Sequence, residues 1–181
     1  MGFCKDIRFS TTNQNMKNLK LLSILFLGLA FHACSQNKSS DKQTLSRDIK
    51  KYPGAKTSAQ WKQVLSAKAY DIMVNSATET PYENPYWNNH KKGIYVSAAT
   101  GKPLFSSDTK FESGTGWPSF FKPIDPKAIK IVRDASGGMV RDEVVEASTG
   151  LHLGHVFDDG PKPTGQRYCM NSFALKFIPS K

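Results

Sequence analysis

The sequence predicts a compact, mainly β domain of short antiparallel strands, with one or two helices at its start. Three observations carry this. After Gly93 the chain breaks into short apolar or β-branched runs separated by Asp-, Ser- and Gly-rich turns. Before it lies one stretch with apolar residues at steps of three and four. At 181 residues, with eleven Phe, the chain holds one domain with a real core once its N-terminal region is set aside.

The N-terminal region reads as an address. Leu21–Phe31 is an apolar run too short to span a bilayer. Lys17 and Lys20 precede it and His32-Ala33-Cys34 follow, the order of a secretory signal. The stretch resembles a bacterial lipoprotein signal, in which Cys34 becomes the lipidated first residue, although Phe31 and His32 depart from the usual residues there. An ordinary cleaved signal or an N-terminal anchor is the alternative. The polar first fifteen residues fit no signal pattern, and Met16-Lys17 reads as the true start. The expected organisation is a signal region over 1–33, a polar tether over 34–57 rich in Ser, Lys, Gln, Asn and Asp, and a domain over 58–181. The expected place is the bacterial cell envelope, with the chain held to a membrane, on its periplasmic side or at the surface, by a lipid on Cys34.

In the domain, Trp61, Val64, Leu65, Ala69, Ile72 and Met73 predict one amphipathic helix over 61–75, with Ser58 as its cap. Thr78–Trp87, with two prolines and no period, predicts an extended segment lying over the domain. Strands are expected at Ile94–Val96, from Leu104-Phe105, and at Ile129–Val132, Gly138–Val140, Glu143–Glu146 and Ser172–Ile178. No Gly-rich phosphate loop is present, so a nucleotide cofactor is unsupported. The net charge of +10 is spread over scattered Lys and Arg, which describes a solvated basic surface and not a nucleic-acid groove.

Three clusters carry chemistry. Ser113-Gly114-Thr115-Gly116-Trp117-Pro118-Ser119-Phe120-Phe121 is a tight loop whose Trp117 forms either a wall for an apolar ligand or part of the core. His152-Leu153-Gly154-His155-Val156-Phe157-Asp158-Asp159-Gly160-Pro161 holds two of the four His. Three apart on a strand they face opposite sides, so convergence needs a bend, which Gly154 permits. Gly165-Gln166-Arg167-Tyr168-Cys169-Met170-Asn171-Ser172 sets a Cys beside an Arg, which favours the reactive thiolate. A lone Cys is otherwise most often a small buried apolar residue. Together the residues make a thiolate site with acid and base groups, or else a metal site built on His152, His155, Asp159 and Cys169. A structural zinc is disfavoured by the lack of Cys pairs.

These three blocks resemble, in order and separation, the signature blocks of the B class of peptide methionine sulfoxide reductases. The Trp61–Tyr70 stretch, Thr78-Glu79-Thr80-Pro81 and Pro103–Lys110 fit as well, so the likeness runs from about Ser58 to Ile178. It implies two small sheets and reduction of methionine-R-sulfoxide, free or in proteins, with Cys169 as nucleophile passing through a sulfenic acid. By position His155, and next His152, would supply the proton to the sulfoxide oxygen. Asn171 would hydrogen-bond the substrate or its water. Trp117, with Phe157, would pack on the substrate. Arg167 and Asp159 would set the local charge.

Two departures matter. The zinc-binding Cys-x-x-Cys pairs of many members fall on Ser97 and Thr100 and on Glu146 and Thr149, which implies a zinc-free member. The resolving Cys of many members falls on Thr115. The expectation is therefore a monomer with no bound cofactor or metal. Its Cys169 sulfenic acid would be reset directly by an external thiol or a thioredoxin-like donor. A non-catalytic envelope lipoprotein on the same fold is the rival reading.

Overall fold

A computed structural model describes residues 51–181. The expected signal region, the start at Met16, the lipidation of Cys34 and the tether as far as residue 50 lie outside the described residues.

The expected single helix is two: α1, Ser58–Val64, and α2, Ala67–Asn75. Leu65 and Ser66 between them are extended, because the Ser66 hydroxyl accepts the Ala69 N–H at 3.2 Å and starts a new helix instead of continuing the first. The cap of α1 is Thr57 and not Ser58. The Thr57 side chain accepts the Gln60 N–H, and the Gln60 side chain accepts the Thr57 N–H at 2.8 Å, a reciprocal capping box. The apolar period still lands in the core, since Trp61, Leu65, Ala69, Ile72 and Met73 are buried. Val64, counted on that face, is instead exposed.

Among the described residues nine strands make two antiparallel sheets. Strands β1 (Gly93–Ser97), β2 (Pro103–Ser106) and β9 (Leu175–Pro179) form the smaller, in the order β2-β1-β9. The larger runs β3-β4-β8-β7-β6-β5, from β3 (Lys110–Phe111), β4 (Ser119–Phe120), β5 (Ile129–Asp134), β6 (Arg141–Glu146), β7 (His152–Phe157) and β8 (Arg167–Met170). One core joins both sheets to the helices. Phe105 stacks on Phe120 with ring centroids 4.5 Å apart, and Tyr95 meets Phe120 edge-on at 5.0 Å.

Two expected strands are corrected. Gly138–Val140 is not a strand: Ser136–Gly138 is a turn of 3-10 helix closing the β5–β6 hairpin. The Asp134 carboxylate accepts the Ser136 N–H at 2.9 Å, and Gly138 adopts φ +77°, which together bend the chain away from a ladder. Ser172–Ile178 is a strand only from Leu175. Ser172–Ala174 forms another 3-10 turn, because the N–H groups of Ser172 and Phe173 are taken by the Glu79 carboxylate.

The four positions aligned with zinc-binding Cys form a knot of oxygen atoms. Glu146, fully buried, accepts from Ser97 (2.9 Å) and Thr149 (3.1 Å) on one oxygen, and from Thr100 (2.6 Å) and Ser148 (2.9 Å) on the other. Three neutral hydroxyls and one carboxylate already bonded do not fit a tetrahedral zinc, which takes thiolate, imidazole or free carboxylate ligands.

Candidate active site

Cys169 sits in the middle of β8, between β4 and β7. Ser119 faces it from one side and His155 from the other. The bend needed to bring the histidines together is a β-bulge. His152 pairs with Val145 and Gly154 with the adjacent Val144, so Leu153 is the extra residue. It turns a separation of three into convergence, and the His152 and His155 rings lie 5.3 Å apart. Gly154 serves a different end from the one expected of it. A Cβ there would lie 2.1 Å from the Cys169 carbonyl oxygen, so only glycine lets β7 approach β8 this closely.

The two histidines are held differently. His152 is buried, with Nδ1 2.5 Å from Glu143 Oε1 and Nε2 3.3 Å from Asn171 Nδ2. His155 is partly buried, and its Nε2 lies 3.1 Å from Asp134 Oδ2, which also accepts from Arg141 at 3.0 Å. Burial lowers the His155 pKa more than the Asp134 hydrogen bond raises it, and the charges of His152 and Arg141 lower it further. For Asp134, burial acts against the carboxylate. Hydrogen bonds from Ser136 and His155 and the charge of Arg141 nevertheless hold it well below the usual range.

The thiol corrects one expectation. Arg167 does favour the Cys169 thiolate, but burial outweighs it and pushes the thiol above its ordinary value. The hydroxyls of Thr115 and Ser119 act in the same direction as Arg167. Those hydroxyls belong to a chain: Ser119 donates to Ser113 at 2.8 Å, and Ser113 and Thr115 share a hydrogen at 2.8 Å. Thr115, in the resolving position, thus stands at the sulfur as a hydroxyl.

Arg167 is oriented by Asp159 through paired bonds of 2.8 and 2.9 Å, and its guanidinium lies over the Phe157 ring at 4.4 Å. Phe157 therefore carries Arg167, its partner across β7 and β8. Trp117 is half-buried, and its indole N–H donates to the Glu79 carbonyl at 3.1 Å. Asn171 is buried, donating to the Leu153 carbonyl at 3.2 Å and accepting the Glu79 N–H at 3.2 Å.

All the residues read from the three blocks come together here. Glu143, Asp134, Arg141 and Glu79 were not read as site residues. A charged residue inside a valine-rich strand was the available signal for Glu143. The other three reach the site only through tertiary pairing.

A family model described as the SelR domain matches residues 65–179, a span that takes in every residue of this site. A peptide methionine sulfoxide reductase MsrB of Agrobacterium fabrum is 50% identical over 124 residues, 68% of this chain and 92% of that protein. Proteins of the same name from Methanosarcina mazei and Leptospira interrogans are 52% identical over 122 residues and 48% over 126, covering 67% and 70% of this chain and 87% and 96% of theirs. With a fold of two antiparallel sheets and a thiol set directly across from His155, the chain belongs to the SelR-domain family, that of the MsrB peptide methionine sulfoxide reductases.

Proposed function

We propose that the protein reduces methionine-R-sulfoxide to methionine with Cys169 as the nucleophile. The observation that carries this is the register of β7 and β8, which sets His155 directly across from Cys169. The Cys169 thiolate attacks the sulfoxide sulfur and forms an S–S bond, while the sulfoxide oxygen takes up two protons and leaves as water, giving a sulfonium. Water then attacks the Cys169 sulfur, the S–S bond breaks, methionine leaves with the bond's electron pair and a proton is released, so Cys169 is left as a sulfenic acid, oxidised by two electrons as the sulfoxide is reduced by two.

His155 supplies the proton. Its Nε2 is tied to Asp134, which leaves Nδ1 for the substrate. His152 has both nitrogens engaged by Glu143 and Asn171, which supports a positioning role in place of the secondary acid role. Trp117 packs on the substrate methyl group, and Arg167 with Asp159 raises the thiolate fraction. Two electrons from an external thiol or thioredoxin-like donor then release the oxygen as water and restore Cys169. The lipoprotein reading of Cys34 places this repair on envelope proteins.

Turnover of separated R and S sulfoxide epimers, with thioredoxin and with a small dithiol, tests the proposal. R-specific turnover that disappears in Cys169→Ser is expected, and R-specific turnover persisting in that variant overturns it. Labelling of cells with a radioactive fatty acid tests the anchor, and an unlabelled protein removes it.

A further inference from the structure

We propose that Glu79 is a positioning residue for sulfoxide reduction, setting the amide orientation of Asn171, the indole of Trp117 and, through Asn171, the hydrogen bond received by His152 Nε2. The proposal rests on the reductase reading above.

Glu79 lies in the irregular segment 78–87, ninety-two residues before Asn171, and is buried. All three of its polar groups are engaged at the site. Its carboxylate accepts the N–H groups of Ser172 (2.5 Å) and Phe173 (3.0 Å), the residues that follow Asn171. Its own N–H donates to Asn171 Oδ1 at 3.2 Å, and its carbonyl accepts the Trp117 indole N–H at 3.1 Å. Burial raises its pKa, while the Ser172 and Phe173 N–H groups favour the charged form.

The donor and acceptor logic propagates. A backbone N–H only donates, so the Asn171 atom facing Glu79 must be its oxygen. The Leu153 carbonyl only accepts, so the atom facing it must be the nitrogen. Two independent partners thus fix one orientation of the amide. Asn171 Nδ2 then presents its second hydrogen to His152 Nε2 at 3.3 Å, which makes Nε2 an acceptor and leaves the ring proton on Nδ1, donated to Glu143. A ring so committed cannot protonate the sulfoxide, and the task falls to His155. The segment is stitched down independently: Asn84 donates to the Gly116 carbonyl at 2.7 Å, and the Tyr82 N–H reaches the same carbonyl at 2.9 Å. The clamp therefore joins the loop of Trp117 to the turn of Asn171.

The test uses Glu79→Gln, which keeps the shape, and Glu79→Ala. Single-turnover oxidation of Cys169 by a methionine-R-sulfoxide substrate is expected to slow by about 10- to 100-fold in Glu79→Ala, with KM raised as Trp117 loosens, and by less in Glu79→Gln. Imidazole 15N shifts are expected to report Nδ1–H for His152 in the wild type and in both variants, with the Nε2 resonance displaced in the variants as its hydrogen bond from Asn171 loosens. A rate loss with an unchanged His152 Nε2 resonance and unchanged KM overturns the proposal, as does an unchanged rate. Where Glu79→Ala does not fold, Glu79→Gln decides by the same readings. Wild-type R turnover in the same assay separates failure of this proposal from failure of the reductase assignment.

Discussion

Removing the carboxylate of Glu146 tests what holds the end of the domain where β1 and β6 meet. The change to Ala takes away the shared acceptor of four hydroxyls. The loss is unequal among them. Thr100 and Ser148 are less deeply buried and turn toward water. Ser97 and Thr149 are fully buried, and their oxygens already accept main-chain N–H groups, Ala99 and Thr100 on Ser97 and Leu151 on Thr149. Two buried hydroxyl hydrogens are left without an acceptor, each costing about 1–3 kcal/mol, and the vacated volume adds to this. The expected destabilisation is about 3–5 kcal/mol, or a fall in Tm of roughly 10–20 °C for a domain of this size. Glu146→Gln provides the contrast. Its amide keeps one acceptor oxygen but points two hydrogens at hydroxyls whose lone pairs are largely in use, so its cost is smaller, about 1–3 kcal/mol. Thermal unfolding followed by circular dichroism measures both. A Tm for Glu146→Ala within about 3 °C of wild type would refute the view that the knot secures this end.

Three further outcomes are expected. The proposed reaction needs Cys169 as thiolate and His155 protonated, while burial raises the thiol and lowers the imidazole from their ordinary values. Below the His155 value the thiolate fraction grows with pH, and above the Cys169 value the imidazolium fraction falls. Between them the product of the two is constant, so single-turnover kcat/KM should show a broad plateau; a narrow bell inside this range would contradict the ordering. Arg167→Met should raise the Cys169 pKa further, because the guanidinium favours the thiolate, and slow alkylation of Cys169 at neutral pH. A pH profile of alkylation unchanged from wild type would show that Arg167 does not act on the sulfur. Gly154→Ala places a Cβ against the Cys169 carbonyl and Met170 and should cost about 3 kcal/mol with loss of activity, read from the denaturation midpoint. A variant as stable and active as wild type would show that β7 and β8 separate freely.

What the sequence discloses depends on distance along the chain. Short β-branched runs place β1, β5 and β6, and the apolar pair Leu104-Phe105 places β2, because each strand's preference resides in its own residues. The helix break at Leu65-Ser66 was hidden, since one serine hydroxyl competes with an apolar period that continues unbroken across it. The three blocks gather the nucleophile, its Arg and both histidines because these fall within eighteen residues. The convergence of the histidines was not legible, because the bulge at Leu153 is defined only against β6. Glu79 and Asp134 were invisible as site residues for the same reason. Their partners are chosen by sheet register and by a segment that carries no period of its own.

The oxygen-built knot at Glu146 has a consequence for an enzyme that works where oxidants are abundant. A thiolate joint is oxidised by the same species that make methionine sulfoxide, and such a joint fails when repair is most needed. Carboxylate and hydroxyl groups are inert to those species. Among the described residues Cys169 is the single cysteine, so cysteine oxidation there is confined to the one sulfur whose sulfenic acid belongs to the proposed catalytic cycle.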